Sequence, residues 1–317
     1  MSNKVTVYID GSEGTTGLRI DERFQKRGDV EIIRINPELR KDPAERAKMI
    51  NSSDITFLCL PDAAAIEAVS LCTNPAVRII DASTAHRTNP DWAYGFPELS
   101  EDHRRNIVNG KRISVPGCHA SGFVSLVYPL IAAGIMPKDY PVVCWSLTGY
   151  SGGGKKMIAQ YEGEDRAAEL DAPREYGLTQ QHKHLKEMKA VTGLEKNPIF
   201  TPIVSDYYSG MVGSVPIFTD MLKTRMTPEE LRAFYTGYYR GQRFIRVADA
   251  EETEALGGFL AGNTRSGWDG MEIIVAGNED RITVNSRFDN LGKGASGAAM
   301  QCMNLMIGAD EDTGLVL

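Results

Sequence analysis

Apolar and polar positions in the first hundred residues alternate between short runs rich in Val, Ile and Leu and amphipathic stretches, the pattern of a parallel sheet covered by helices. The runs lie at 5–9, 30–35, 55–60 and 77–80, with helical character at 18–26 and 63–72. They predict an α/β fold of the doubly wound, Rossmann type. Residues 111–115 read as a further strand and 123–131 as an apolar helix, so the segment Val115-Pro-Gly-Cys118-His119-Ala-Ser121-Gly122 spans a turn into a helix. Beyond about residue 140 the texture changes. Strand-like runs at 142–148, 199–204, 213–219, 243–247, 271–275 and 281–288 have no regular helix between each neighbouring pair, which predicts a mostly antiparallel α+β domain. Thr227-Pro228 opens a helix to about residue 239, with threonine as cap and proline at the first position. A last helix, 295–307, is expected to pack back on the first domain.

Composition narrows the function classes. The 317 residues carry a net charge of −7 with no basic tract, so nucleic acid is not an expected partner. No run approaches the roughly 18 apolar residues of a membrane span, and the amino-terminal stretch has no basic segment followed by an apolar core. The expectation is a cytoplasmic protein. Five cysteines, an odd number without a C-x-x-C pair, argue against a disulfide framework or a zinc ribbon. Zinc held by Cys118, His182 and His184 lacks a fourth ligand, and no metal is expected.

The chemistry concentrates in three places. Between the first strand and helix lies Asp10-Gly11-Ser12-Glu-Gly14-Thr15-Thr16-Gly17, where helix N–H groups can hold a dinucleotide pyrophosphate. Ser12 takes the place of the fingerprint's first glycine, and Gly14 and Gly17 match the last two; a plain tight turn is the alternative. The second strand ends in Arg34-Ile-Asn36-Pro-Glu38-Leu-Arg40-Lys41, basic rather than acidic at its tip, which favours NADP(H) over NAD. Solvated loop charges are the alternative there. The third place is Cys118. A lone cysteine is more often a small buried hydrophobe. A Pro-Gly turn before it and small residues after it, at a helix N-terminus that favours the thiolate and can hold an oxyanion, point instead to a nucleophile for acyl chemistry. His182 and His184 in His-Lys-His-Leu-Lys-Glu187 offer the imidazole to serve it.

Taken together, the segments Asp10-Gly-x-x-Gly-Thr-Thr-Gly-Leu18, Asp81-x-Ser83-Thr-Ala-x-Arg87, Trp92-Ala-Tyr-Gly-Phe96, Pro116-Gly-Cys118, Ser151-Gly152-Gly-Gly-Lys155, His182-Lys-His184 and Asp289-Asn290-Leu-Gly292-Lys-Gly-Ala-Ser-Gly297 resemble, nearly end to end, the shorter form of the N-acetyl-γ-glutamyl-phosphate reductase family. Two departures stand beside the chemistry. The family has an aromatic and Pro-Thr after the cysteine, where this chain has His119-Ala120-Ser121, and Pro-Glu after the histidines, where it has Lys186-Glu187.

The resemblance implies a semialdehyde dehydrogenase-like architecture, with an NADP-binding domain of residues 1–117 and 295–317 and a catalytic, substrate and oligomerisation domain of 118–294. It implies reduction of an acyl phosphate to a semialdehyde in arginine biosynthesis through a thioester on Cys118, and a homo-oligomer, dimer or tetramer. Cys118, His182 and His184 become catalytic. Gly11, Ser12, Gly14, Thr15, Thr16, Gly17, Arg34, Arg40, Asn290 and Gly292 fall to the cofactor, and Ser83, Arg87, Ser121 and Gly152 to the substrate. The same cysteine, histidines and cofactor would also suit an aspartate-semialdehyde dehydrogenase or an aminoadipyl-phosphate reductase. A non-enzymatic NADP-binding sensor is the reading from another class.

Overall fold

In the computed structural model, which describes residues 4–317, the chain divides into two units. One holds the residues up to Pro116 together with Ala295–Leu315, and the other Gly117–Gly294 with the last two residues.

The first unit runs β1 (Val5–Asp10), α1 (Thr15–Phe24), β2 (Val30–Ile33), α2 (Pro43–Asn51), β3 (Ile55–Leu58), α3 (Asp62–Leu71), β4 (Arg78–Asp81), β5 (Ala93–Tyr94), α4 (Glu101–Asn109) and β6 (Arg112–Ser114). Its strands pair in the order β2-β1-β3-β4-β6-β5, all in parallel. Strands covered on both faces must be apolar throughout, and β3 is buried at every position. The C-terminal helix Gly297–Ile307 packs Ala298, Ala299, Met300 and Met303 into the same core as Val7, Phe57 and Ile113. Strand order reverses between β1 and β3, so the glycine loop after β1 lies at the switch point where such sheets bind ligands. Two helices had no sequence-based expectation. Asp42 caps α2 by accepting from the Glu45 N–H at 2.8 Å, and Ser100 caps α4 by accepting from the His103 N–H at 3.2 Å.

The second unit runs α5 (Cys118–Ala132), β7 (Val143–Gly149), α6 (Gly154–Glu162), β8 (Arg174–Glu175), α7 (His184–Thr192), β9 (Ile199–Ser205), β10 (Met211–Phe218), α8 (Pro228–Tyr238), β11 (Ile245–Val247), α9 (Ala250–Glu254), β12 (Met271–Gly277) and β13 (Arg281–Phe288). Its sheet has the order β11-β12-β13-β10-β7-β9-β8. Four neighbouring pairs are antiparallel, and β7/β9 and β11/β12 are parallel. The first parallel pair follows from α6 and α7, which lie between its strands and carry the chain back to the starting edge. The expected helix at 123–131 begins earlier, at Cys118 itself. Helix α5 is held against the sheet: a Cβ on Gly122 would come 2.7 Å from Ser286 Oγ, and Tyr235 and Tyr239 of and beyond α8 donate to the carbonyls of Leu126 and Ser125, each at 2.6 Å. Those contacts hold the second and third turns of α5, next to the turn that carries Cys118.

Candidate active site

Gly117 is the N-cap of α5 and has no side chain to occupy the helix end, so the first-turn N–H groups and the positive end of the dipole are left around Cys118. The Gly117 N–H itself donates to Glu187 Oε1 at 2.9 Å, which fastens the turn to the first part of α7. Glu187 is only 2% exposed. A Cβ on Gly294 would lie 3.0 Å from the Cys118 Cβ, so the chain at Gly294 passes Cys118 at a distance that only glycine allows. Cys118 is half-buried. Cys144 and Cys302 are buried, and burial, with the nearby charges of Asp81 and Asp10 in the case of Cys59, pushes Cys59 and Cys144 up to about 12.

Around that turn three imidazoles meet. His119, 3% exposed, has ring centroids of His182 at 5.8 Å, His184 at 5.6 Å and Phe200 at 5.3 Å. His182 and His184 pack edge to face at 4.8 Å. The His184 backbone N–H donates to His182 Nδ1 at 3.3 Å. A backbone amide can only donate, so neutral His182 carries its proton on Nε2. His119 bridges Ser146 Oγ, 2.8 Å from Nδ1, and the Tyr176 hydroxyl, 2.6 Å from Nε2.

Burial and the neighbouring Lys183 lower His182 to about 4, and burial with His182 and Lys183 lowers His119 to about 3. Both rings titrate near 6.5 when unfolded. As pH drops below that value the unfolded chain binds protons that the folded chain refuses, so stability falls from about pH 6.5 towards about pH 4. Thermal melts should show this acid-side loss flattened in His119→Gln. A slope against pH unchanged by the substitution would contradict a ring buried in its neutral form.

The first unit carries the remaining expected residues except Asn290, Gly292, Gly152 and Ser121. Gly11 has φ +87°, and a side chain there would strike the Cys59 carbonyl; a Cβ on Gly17 would strike the Gly11 carbonyl. Gly11 thus supplies the tight turn, so the fingerprint's first glycine sits one residue before Ser12. Gly14 caps α1 without any side-chain cap, leaving the N–H groups ahead of Thr15, Thr16 and Gly17 as an anion site. These residues fit a dinucleotide. Arg40 pairs with Glu13 of the glycine loop at 2.8 Å, and Arg34 with Asp21 at 2.7 Å, all but Asp21 well exposed. Ser83 Oγ donates to Asp81 Oδ2 at 2.7 Å, and the same carboxylate lies 2.6 Å from His86 Nδ1, whose ring stacks on Trp92. Arg87 is oriented by the carbonyls of Val115 at 2.9 Å and Ala82 at 3.1 Å.

In the second unit, Asn290 accepts from the Gly210 N–H at 2.9 Å and donates to Ser151 Oγ at 3.0 Å. A Cβ on Gly152 would lie 3.5 Å from the Asn290 amide nitrogen. Gly292 passes Trp268, whose carbonyl a Cβ would approach to 2.5 Å. Ser121 is fully buried on α5, its hydroxyl without a hydrogen-bond partner among the described residues. Ser146, Tyr176 and the grip of Glu187 on Gly117 had no sequence signal, because a serine, a tyrosine and a glutamate scattered over three elements have no spacing to betray them.

Residues 5–107 match the family described as semialdehyde dehydrogenase, NAD binding domain, and residues 118–290 that described as semialdehyde dehydrogenase, dimerisation domain. The chain is 43% identical to N-acetyl-gamma-glutamyl-phosphate reductase 2 of Nostoc sp., with 99% of this chain and 100% of the relative covered. It is 44% identical to the N-acetyl-gamma-glutamyl-phosphate reductase of Burkholderia lata, with 96% of each covered. In fold it is similar to aspartate semialdehyde dehydrogenase II of Vibrio cholerae, with a TM-score of 0.71 at 16% identity over 97% of this chain and 99% of that one. A likeness of 41–44% identity along nearly the whole length places the chain in one family: it belongs to the N-acetyl-γ-glutamyl-phosphate reductases, within the semialdehyde dehydrogenase fold.

Proposed function

We propose that this chain reduces N-acetyl-γ-glutamyl phosphate to N-acetylglutamate semialdehyde and phosphate in arginine biosynthesis, with NADP(H) as cofactor and Cys118 as nucleophile. The observation that carries the reading is a half-buried cysteine at the uncapped N-terminus of α5, whose preceding Gly117 N–H is held by Glu187, beside a cluster of three imidazoles.

The Cys118 sulfur attacks the acyl carbon, the C–S bond forms, and the bond to the phosphate oxygen breaks with phosphate keeping the electron pair. First-turn N–H groups of α5 and the Nε2–H of His182 would hold the negative charge that develops on the carbonyl oxygen. Bound NADPH supplies the hydride that brings the thioester to the aldehyde level. The carbonyl then re-forms as the C–S bond breaks and Cys118 leaves as thiolate, with the imidazoles holding the proton inventory. Arg87, oriented by two carbonyls, is our candidate for the phosphoryl anion, with Ser83, Ser121 and Gly152 about the substrate.

Gly11, Ser12, Gly14, Thr15, Thr16 and Gly17 would hold the pyrophosphate, Arg34 and Arg40 a 2′-phosphate, and Asn290 and Gly292 the nicotinamide end. The open face of the second sheet carries Val143, Trp145 and Ile199, of which Trp145 and Ile199 are exposed, and a second copy covering it makes a homodimer.

The test is phosphate-dependent NADP reduction by N-acetylglutamate semialdehyde beside aspartate and aminoadipate semialdehydes. The first should lead in kcat/KM by about 100-fold, the upper range for a change of one or two methylenes in a pocket. Equal turnover of aspartate semialdehyde would overturn the substrate. In the same assay NADP should exceed NAD by about 10- to 100-fold in kcat/KM, the worth of one charge-assisted contact, and Arg40→Ala should narrow that gap. A preference unchanged in both Arg34→Ala and Arg40→Ala would take the 2′-phosphate away from this loop.

A further inference from the structure

Glu187 is a buried carboxylate that takes no proton and no electron pair in the chemical steps. It stands in the first turn of α7, three residues after His184, where the positive end of the helix dipole favours a negative charge. Its Oε1 also accepts from the Gly117 N–H at 2.9 Å, so one side chain serves the starts of two helices. Gly117 is the N-cap of α5 and Cys118 its first helical residue. In a capping box the residue three after the cap, a Glu or Gln, reaches back to the N-cap N–H. In α5 that residue is Ala120, and no acidic side chain stands in the first turn. The acceptor arrives instead from a position 70 residues further along the chain. Both backbone groups of Gly117 are thereby engaged, the N–H by Glu187 and the carbonyl by the Ser121 N–H at 2.8 Å. Glycine has the most conformational freedom to lose, and these two bonds fix the peptide that carries the Cys118 N–H.

We propose that Glu187 is a positioning residue for the acyl chemistry: it supplies from α7 the cap acceptor that α5 lacks, and so holds the first turn of α5 in the geometry that the Cys118 sulfur and the oxyanion need. The proposal rests on the reading of Cys118 as nucleophile. What the site uses is an acceptor oxygen at the reach of a Glu side chain, not the negative charge. An acceptor brought in from α7 satisfies the Gly117 N–H while the first turn of α5 keeps no acidic side chain of its own, which leaves the following N–H groups to a developing oxyanion.

The test is steady-state oxidation of N-acetylglutamate semialdehyde with NADP and phosphate in three variants that separate acceptor from charge. Glu187→Gln keeps the acceptor oxygen and loses the charge, and its kcat should stay within about threefold of wild type. Glu187→Asp keeps the charge but stops one methylene short of Gly117, and Glu187→Met has neither. Both should lose about 10- to 100-fold in kcat, the scale on which a small misplacement of reacting groups is felt, with KM for the semialdehyde and NADPH affinity within about threefold. Turnover retained in Glu187→Asp and Glu187→Met, or a Glu187→Gln as impaired as they are, would overturn the proposal. So would a loss shared evenly by kcat, KM and NADPH affinity, which marks a loosened fold. Should Glu187→Met fail to fold, the comparison of Gln with Asp decides by itself. Turnover retained in Cys118→Ala would instead strike at the reading beneath, whatever the Glu187 variants do.

Discussion

Cys118→Ala will lose phosphate-dependent turnover by about 10⁴–10⁶, the scale on which enzymes fail when the nucleophile of a covalent mechanism is deleted. The side chain stands at the helix end, not among close-packed core residues, so the fold should survive its truncation. NADPH affinity, measured by fluorescence titration, should stay close to wild type, because Gly11, Gly14 and Gly17 belong to the other unit. Residual turnover above about a hundredth of wild type would defeat the thioester, since oxyanion donors and binding alone give far less than the intact constellation. Iodoacetamide on the native protein gives an independent reading. Cys118 should label ahead of Cys144 and Cys302, which are buried, and ahead of Cys59, held as a thiol with a value of about 12. Equal labelling of all five cysteines would mean that the end of α5 confers nothing on its thiol.

Why the first sheet could be read from sequence and parts of its surroundings could not is a matter of how each element is stabilised. Strands β1, β3 and β4 are buried on both faces, so each prints as an apolar run. Helices α2 and α4 print almost nothing. The first buries only Arg46 and Ile50, the second only Ile107, and their starts rest on the caps of Asp42 and Ser100. Arg46 is buried because its guanidinium grips Asp10 at 2.9 Å, which no periodicity of apolar residues anticipates. The early start of α5 was hidden for the opposite reason: Ala120, Ser121 and Gly122 are all buried, so small residues rather than an amphipathic stripe mark its first turns. In the site, Cys118, His182 and His184 were legible as residue types in a motif. The bridge from His119 to Ser146 and Tyr176 joins positions 27 and 57 residues away, and only the folded sheet and loops bring them together.

The histidine pair separates by geometry, and the second large effect follows from it. His184 is 4% exposed and walled in by the rings of His119 and His182, whereas His182 is half-buried. With Nδ1 accepting from the His184 N–H and a value lowered to about 4, His182 at neutral pH is a neutral ring that offers one N–H. Such a ring cannot work as an imidazolium acid near pH 7. It can donate a hydrogen bond to a developing oxyanion, and deleting one donor of that kind costs roughly 10²–10³ in kcat. His182→Ala should therefore lower kcat in that range with KM for the acyl substrate changed much less. The wild-type rate should show no inflection owed to His182 between about pH 5 and pH 8, because its titration lies near 4. His184→Asn should act through packing, visible first as a lower melting temperature. If His182→Ala turns over within about threefold of wild type while His184→Asn falls by the 10²–10⁴ expected of a lost general acid or base, the roles are reversed and the buried imidazole is the one that meets the reacting atoms.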